Sequence, residues 1–300
     1  MERLVVVLNP NSTRAKRVQS GVLDRLNDSG RTHDTLITKY PDTEANIDTM
    51  LEFFRNGDTI LTAAGDGTAM QAMNAVLRTN LENTRIGPLG YGNFQDIGRE
   101  QDPLKLLSTE PIAWNPMTLK VNGDYFRHAP AYATFGLTAL AASKFGGQSS
   151  RNHMRHTPDK LRLLSSIGQL GIDYFALRRH KLPPFTTNLN NKQQNIATDI
   201  FAINSPRAGR IIRLKEDYSA SNDFGFHISD LSRIWPNVPF GIQASTGHAP
   251  TTPMQELIIR FEEPSTIPLQ TEGEFAIPSE VEAISIHKDP TDVLRVLKST

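Results

Sequence analysis

The protein has 300 residues, and 32 basic residues (Lys and Arg) balance 32 acidic ones (Asp and Glu), so its formal net charge is zero. This balance excludes a nucleic-acid binder that relies on bulk positive charge, and we expect no nucleic-acid partner. The chain has no cysteine, which excludes disulfides and thiolate metal sites. No apolar run approaches the roughly 18 residues of a membrane helix, and Leu4 to Leu8 is too short for a signal-peptide core. We therefore expect a cytoplasmic protein.

The first ninety residues alternate between apolar runs and helical patterns. Predicted strands are Leu4–Leu8, Thr35–Thr38, Thr59–Ala63 and Arg85–Leu89. Between them, apolar residues recur three or four positions apart, which is typical of amphipathic helices. Ser12 or Thr13 is the expected cap of the first helix, and Pro41-Asp42 opens the second. Strands alternating with helices predict a parallel, doubly wound sheet, so this part belongs to the α/β class.

Three of these predicted strands end in loops rich in glycine, asparagine or proline. The loops are Asn9-Pro10-Asn11-Ser12, Ala64-Gly65-Asp66-Gly67-Thr68 and Pro88-Leu89-Gly90-Tyr91-Gly92-Asn93. A strand, a glycine turn and a helix start together aim main-chain N–H groups at an anion, and glycine removes the Cβ from the path of a phosphate. Each loop alone is equally compatible with an ordinary turn. Because parallel strands end at one edge of a sheet, three such loops together favour a phosphate site.

The pattern changes near residue 117, after which strands dominate. Met117–Val121 and Tyr125–His128 flank Asn122-Gly123-Asp124, which predicts a hairpin. A mostly antiparallel, β-rich second domain is therefore expected, interrupted by one helix at about Asp159–Arg179, and Pro290–Leu297 is predicted to be a short helix. Further strands are predicted at Tyr132–Gly136, Asp199–Asn204, Glu256–Phe261 and Ile267–Gln270.

The order of these motifs resembles the diacylglycerol-kinase-like lipid kinases, which share their nucleotide domain with the NAD kinases. The three loops are similar to the family's N-P-x-S, G-G-D-G-T and P-L-G-T-G-N, and Glu272-Gly273-Glu274 is similar to its D-G-E. The resemblance implies an α/β nucleotide-binding domain at 1–116, to which the tail 288–300 returns. It also implies a β-rich acceptor-binding domain at 117–287.

The resemblance further implies a site for ATP and Mg²⁺ in a cleft between the two domains. Glu274 is implied as the base that takes the proton of the acceptor hydroxyl, with Glu272 beside it and Asp66 orienting metal or nucleotide. Without the family, Glu272 and Glu274 read as two solvated turn carboxylates. The implied ATP-binding residues are Asn9, Pro10, Ser12, Thr38, Gly65, Gly67, Thr68, Gly90, Tyr91, Gly92 and Asn93.

Several residues depart from the family pattern. Tyr91 replaces a threonine, and its ring is expected to crowd the nucleotide or stack on its base. Phe94 stands where an acid is expected, and Phe224 occupies the position of the metal-holding aspartate. Asp223 is then the remaining candidate metal ligand, one position away, with altered geometry. Ala64 replaces the first glycine of the central motif.

The histidines of the segment 151–156 are spaced for a metal, but their basic neighbours favour a solvated basic loop. Together with the basic residues at 178–181, this loop predicts a patch for anionic lipid headgroups.

The sequence therefore predicts an ATP-dependent lipid kinase acting on a diacylglycerol-like or sphingoid hydroxyl, with the lipid as partner at the membrane surface. One alternative is a nucleotide- or lipid-binding protein that retains the fold with impaired turnover. The other is a kinase for a soluble acceptor such as NAD. The oligomeric state stays open, with a homodimer as one option.

Overall fold

The structure is a computed structural model, and it describes residues 3–12, 14–39, 42–92, 96–146, 181–189, 199–208, 212–229, 243, 246–248, 251–272 and 274–298. The chain divides into two compact units. Unit 1 contains Met1–Pro116 and Asp289–Thr300, and unit 2 contains Met117–Lys288. The predicted helix at 159–179 and the predicted basic patch, apart from Lys181, lie outside the described residues. Within the described ranges, no helix is long and apolar enough to cross a membrane.

Unit 1 is built on a six-stranded sheet, whose strands are numbered in chain order. Its first four strands are parallel neighbours, as the alternating pattern predicts. The order across the sheet is β2 (Asp34–Ile37), β1 (Leu4–Leu8), β3 (Thr59–Ala64), β4 (Arg85–Gly90), β19 (Leu294–Leu297) and β5 (Pro111–Trp114). Val5, Val6 and Val7 of β1 are fully buried, which fits a central strand covered on both faces.

Helices connect these strands. α1 (Ala15–Val18) continues through a π-helical turn (Gln19–Leu23) into α2 (Asp24–Asp28). α3 (Thr43–Phe53) begins after Asp42, whose side chain accepts a hydrogen bond from the Ala45 N–H at 3.0 Å. α4 (Asp66–Thr79) follows β3, and α5 (Pro103–Leu107) follows β4. Ser12 does not cap α1, because its hydroxyl is used elsewhere and Arg14 takes the cap position.

The predicted tail helix is wrong. β19 pairs in parallel with β4 and antiparallel with β5, so the tail adds a strand to the sheet of unit 1. Leu294 and Val296 are buried while Arg295 between them is exposed, which is the alternation of a strand. The spacing of Val293, Leu294 and Leu297 fits a helix as well, and pairing with two partner strands decides the outcome.

Unit 2 contains two antiparallel sheets that share a hydrophobic core. The predicted hairpin is confirmed, with Asn122 and Gly123 at φ 53° and 90° in the turn. One sheet has the order β7 (Asp124–Ala129), β6 (Met117–Val121), β18 (Val281–His287), β15 (Glu256–Ser265) and β9 (Phe185–Thr187). The other has the order β14 (Thr252–Met254), β13 (Phe224–Ser229), β10 (Asp199–Ile203), β8 (Tyr132–Gly136), β16 (Leu269–Thr271) and β17 (Glu274–Ala276).

Smaller elements complete unit 2. A short pair joins β11 (Arg207–Ala208) to β12 (Ile212–Arg213), and α6 (Leu137–Gly146) follows β8 directly. The fold class is therefore as predicted, an α/β unit with a parallel sheet and a second, mostly antiparallel β unit. The chain leaves unit 1 after Pro116, where the composition changes, and it returns after Lys288.

Candidate active site

The loops after β1 and β3 are joined by side chains at one edge of the parallel sheet. The Asn9 amide donates from Nδ2 to the Thr68 hydroxyl at 3.2 Å, which links the end of β1 to the first turn of α4. Thr38, just after β2, donates from Oγ1 to the Leu8 carbonyl at 3.2 Å. Pro10 is exposed in the same loop. Predicted site residues that follow three different strands therefore lie next to one another at this edge.

The loop after β4 joins the same edge through the main chain of Tyr91. The Ser12 hydroxyl donates to the Tyr91 carbonyl at 2.7 Å, and the Tyr91 N–H donates to the Ala64 carbonyl at 2.8 Å. The loops after β1, β3 and β4 therefore form one connected network. Because its members are held by one another, the edge is preorganised rather than assembled on ligand binding.

Two motif glycines bring the loops after β3 and β4 into direct contact. A Cβ on Gly92 would lie 2.5 Å from the Gly65 Cα, and a Cβ on Gly65 would lie 3.3 Å from the Gly92 Cα. Contacts under 3.0 Å essentially never occur for a real Cβ, so Gly92 is required by the packing of one backbone on another. The glycines thus serve the contact between the loops, a role that their sequence pattern does not reveal.

The start of α4 lies within this network. Gly65 caps the helix in an extended conformation, and its carbonyl accepts hydrogen bonds from Thr68 N and Ala69 N. The first N–H groups of a helix have no intrahelical acceptor, and the helix dipole makes them attractive to an anion. The Gly67 N–H is one of the groups in the first turn of α4. This is the geometry of a phosphate-binding helix start.

Asp66 holds the loop that follows β4. One carboxylate oxygen accepts the Asp96 N–H and the other accepts the Ile97 N–H, each at 3.1 Å, and the side chain is only 8% exposed. A buried carboxylate that accepts main-chain N–H groups is strongly stabilised as an anion. Asp66 is therefore a clamp on the 96–97 main chain. The sequence predicts Asp66 as a site residue but carries no signal for these main-chain partners.

The Tyr91 ring, which the sequence places at the nucleotide, is buried in unit 1. It is 2% exposed and lies in the hydrophobic cluster of unit 1, beside the π-helical turn. Its hydroxyl is only 2.5 Å from the position that a Cβ on Gly21 would take. Burial, reinforced by the charges of Glu100 and Asp102, raises the pKa of the Tyr91 phenol. Tyr91, which replaces the threonine of the family motif, is thus a core residue. Only its main chain belongs to the network at the edge of the sheet.

Glu272 of unit 2 is a second carboxylate clamp. Its Oε1 accepts the N–H groups of Ala131 at 2.7 Å and Tyr132 at 2.9 Å, and the residue is 3% exposed. Glu272 lies at the end of β16 with φ 44°, in the left-handed region that non-glycine residues rarely adopt. It is therefore held in place by the turn between β7 and β8 and is not a solvated turn residue.

Glu274 differs from Glu272 in exposure. It opens β17, pairs with Thr271 across the hairpin and is half-buried. Of the two carboxylates of this motif, it is the more exposed one. A general base must approach its substrate to hydrogen-bond distance, and Glu274 satisfies the exposure part of that requirement. Its position relative to the residues of unit 1 stays a prediction.

Comparison with known proteins identifies the first part of the chain. The sequence model of the diacylglycerol kinase catalytic domain matches residues 3–105, which include the loops after β1, β3 and β4. This part of the chain is similar to the diacylglycerol kinase catalytic domain family. The resemblance of the sequence motifs to that family is thereby confirmed. A search of curated proteins found no match.

Solved structures resemble the whole chain, including the part beyond the diacylglycerol kinase catalytic domain. A crystal structure assigned as a diacylglycerol kinase from Bacillus anthracis strain Sterne is 14% identical, with a TM-score of 0.68 over 99% of this chain and 98% of its own. A diacylglycerol kinase structure from the same strain is 15% identical, with a TM-score of 0.67 over 99% of this chain and 97% of its own. At this identity the likeness establishes the fold.

The residues around Asp223 do not fit the metal site that the kinase family implies. Phe224 points into the core of unit 2 and is fully buried. The carbonyls of Tyr218 and Ser221, in the loop before Asp223, accept hydrogen bonds from the Lys288 ammonium. Within the described ranges, no cluster of three or more His, Asp or Glu side chains could hold a metal ion.

Three residues of the motifs fall outside the described ranges. They are Asn93 and Phe94 in the loop after β4, and Gly273 between the two glutamates. Sequence reasoning missed the main-chain partners of the clamps, Asp96 with Ile97 and Ala131 with Tyr132. No pattern could have found them, because a main-chain N–H carries no sequence signal. Lys288 was missed for a related reason, since its partners are carbonyl groups.

Proposed function

We propose that the protein is an ATP-dependent lipid kinase that transfers the γ-phosphate to a lipid hydroxyl. The observation that carries this proposal is the coincidence of two findings at one sheet edge. The match to the diacylglycerol kinase catalytic domain covers the loops after β1, β3 and β4, and these same loops are joined by hydrogen bonds. A fold family alone does not define a function, whereas a built site within it supports one.

The nucleotide phosphates would bind at the start of α4. Phosphoryl transfer needs positioning and charge stabilisation more than covalent chemistry from the protein. The helix start with Gly67 and the hydroxyl of Thr68 supplies donors, and the network from Asn9 to Tyr91 keeps them in place. Mg²⁺ bound to ATP would neutralise charge on the phosphates. Asp66 would act mainly by holding the 96–97 main chain, since both of its oxygens already accept N–H groups.

Glu274 is the proposed general base. Its carboxylate would accept the proton of the lipid hydroxyl as that oxygen attacks the γ-phosphate, and ADP would leave. Its half-burial supports this role, because the neighbouring Glu272 is occupied by two main-chain N–H groups. Positioned general bases typically contribute a factor of about 100 to 10,000 in rate. The assignment rests on the D-G-E resemblance and on this contrast in exposure.

The acceptor is proposed to be a lipid at the membrane surface, with a diacylglycerol-like or sphingoid hydroxyl. The P-L-G-x-G-N motif supports this choice over a soluble acceptor such as NAD. Three departures, Tyr91, Phe94 and Phe224, favour a binding protein without turnover. Tyr91 and Phe224 are buried in the cores of their units, which weakens that alternative, and Phe94 lies outside the described residues.

The test is transfer of labelled γ-phosphate from ATP to defined acceptors in the presence of Mg²⁺. Diacylglycerol and sphingosine in mixed micelles form one set, and NAD forms the comparison. We expect a labelled lipid, and a loss of about 100-fold or more in kcat for Glu274→Gln. Glu282→Gln is the matched control, because Glu282 is an exposed carboxylate on a strand of the same unit.

Three outcomes contradict the proposal in different ways. Labelled NAD with no labelled lipid would identify a soluble acceptor. ATP binding in calorimetry without transfer to any acceptor would identify a binding protein. Equal losses for Glu274→Gln and Glu282→Gln would remove Glu274 from the role of base.

A further inference from the structure

A buried ammonium group lies in the loop that leads into β13. Lys288 is only 8% exposed, and its Nζ donates to the Tyr218 carbonyl at 2.5 Å and to the Ser221 carbonyl at 2.7 Å. The two carbonyls are three residues apart, so the 217–223 loop curves around one cation. Lys288 itself is the last residue of unit 2 and follows β18 directly.

The 217–223 loop is shaped by its own hydrogen bonds to present these carbonyls. Asp217 accepts the Ser219 N–H at 3.0 Å, and the Ser221 N–H donates to the Tyr218 carbonyl at 3.0 Å. The Ser221 hydroxyl lies within hydrogen-bond distance of two carbonyls, that of Tyr218 at 3.1 Å and that of Asp223 at 3.0 Å. A turn with this many internal bonds is rigid, so its carbonyl oxygens converge whether or not a ligand is bound.

The charges around the ammonium are negative. Burial lowers the pKa of Lys288 to about 8, while the carboxylates of Asp223 and Asp217 act in the opposite direction and favour the charged form. Carbonyl oxygens together with carboxylates are the ligand set that hard cations such as Mg²⁺ and Ca²⁺ prefer. A divalent cation cannot share these oxygens with an ammonium group, because the two positive charges repel each other at such short distances.

We infer that the Lys288 ammonium takes the place of a divalent cation in the 217–223 loop, so that unit 2 is held together here without bound metal. The kinase family implies a metal next to this position, and in this chain a lysine from the end of β18 supplies the positive charge. For the proposed kinase, the only Mg²⁺ that the protein requires is then the ion bound to ATP.

The test measures thermal stability without nucleotide or lipid, so that it does not depend on the proposed kinase activity. Wild type and Asp223→Asn are melted with and without millimolar MgCl₂ or CaCl₂, at matched ionic strength. We expect no difference between the two proteins in their response to either metal. A Tm of wild type that rises with metal, and a rise that Asp223→Asn abolishes, would overturn the inference.

Substitution of the lysine provides the second arm. Lys288→Ala removes the internal cation, so its Tm should fall by several degrees, and either metal should restore part of that loss. The double variant Lys288→Ala with Asp223→Asn should show no restoration. Lys215→Ala is the matched control, because Lys215 is an exposed lysine close to the same loop. A Lys288→Ala protein as stable as wild type would also overturn the inference, and the wild-type arm decides if this variant does not fold.

Discussion

Each unit contains one motif carboxylate that clamps two successive main-chain N–H groups, yet the two clamps are built differently. Asp66 in unit 1 uses one oxygen for the Asp96 N–H and the other for the Ile97 N–H. Glu272 in unit 2 receives both of its N–H groups on Oε1. Both residues belong to motifs that suggest catalysis, and in both the structure reveals an architectural role. Glu274, the other carboxylate of the same motif as Glu272, is half-buried.

The largest expected effect is the loss of either clamp. Asp66→Ala and Glu272→Ala each leave two buried N–H groups without their acceptor, at about 1–3 kcal/mol per group, so we expect losses of about 2–6 kcal/mol. Hydrogen exchange of the main-chain amides measures the effect locally. The amides of Asp96 and Ile97 should exchange faster only in Asp66→Ala, and those of Ala131 and Tyr132 only in Glu272→Ala. Unchanged exchange in both would contradict the clamp assignment.

The amide variants sharpen the comparison. Asp66→Asn replaces one accepting oxygen by an NH₂ group that faces an N–H, so we expect a loss of about 1–3 kcal/mol in the free energy of unfolding. Glu272→Gln retains a carbonyl oxygen that can accept both N–H groups, so its loss should be smaller. Denaturant titration of the two variants gives the comparison. Equal losses would mean that charge, rather than the number of accepting oxygens, decides the strength of a clamp.

In unit 1, the loops after β3 and β4 are also in direct contact through Gly65 and Gly92. A Cβ at Gly92 would lie 2.5 Å from the Gly65 Cα, so Gly92→Ala must separate two backbones, at about 1–3 kcal/mol. ATP binding should weaken at the same time, because the start of α4 shifts with Gly65. Gly65→Ala is the milder matched variant, at 3.3 Å from its neighbour. Calorimetry with ATP and unfolding in urea would show whether Gly92→Ala loses more affinity and more stability than Gly65→Ala. Larger losses for Gly65→Ala would contradict the close contact at Gly92.

The packing of Tyr91 on the π-helical turn is expected to give a smaller effect. Gly21→Ala places a Cβ 2.5 Å from the Tyr91 hydroxyl but 3.4 Å from the ring carbon that carries it. The substitution should therefore destabilise wild type by about 1 kcal/mol or more and cost less in a Tyr91→Phe background. A double-mutant cycle measures this coupling. Additive effects would show that the hydroxyl and residue 21 do not interact.

The smallest effect concerns pH and is confined to unit 2. Desolvation lowers the pKa of His227 below its ordinary value of 6.5 in the folded protein. As the pH falls, His227 therefore binds a proton in the unfolded chain before it does so in the folded protein. The contribution of the neutral His227 to the free energy of unfolding is fully present above pH 6.5. It is lost as the pH falls through the pKa of His227 in the folded protein. His227→Gln should flatten this part of the pH profile of the free energy of unfolding. An unchanged profile would falsify the assignment to His227.

The sequence predicts the strands and turns of the molecule better than the contacts of its candidate site residues. The valines of β1 and the Asn122-Gly123 turn are local signals, and both are confirmed. The tail from Val293 onwards fits a helix and a strand equally well, and only pairing with β4 and β5, about 200 residues earlier in the chain, decides between them. The site motifs locate loops that the structure joins at one edge of the sheet of unit 1. They do not reveal that Asp66 and Glu272 bind main-chain groups or that Tyr91 is a core residue.

The placement of β19 has a consequence for biosynthesis. Residues 294–297 pair with both β4 and β5, so the sheet of unit 1 has a gap until they leave the ribosome. During translation of all of unit 2, the nascent amino-terminal segment exposes the edge of β4, and exposed edges invite pairing with other chains. Chaperones that cover such edges should therefore matter more for the yield of this protein than its final stability suggests.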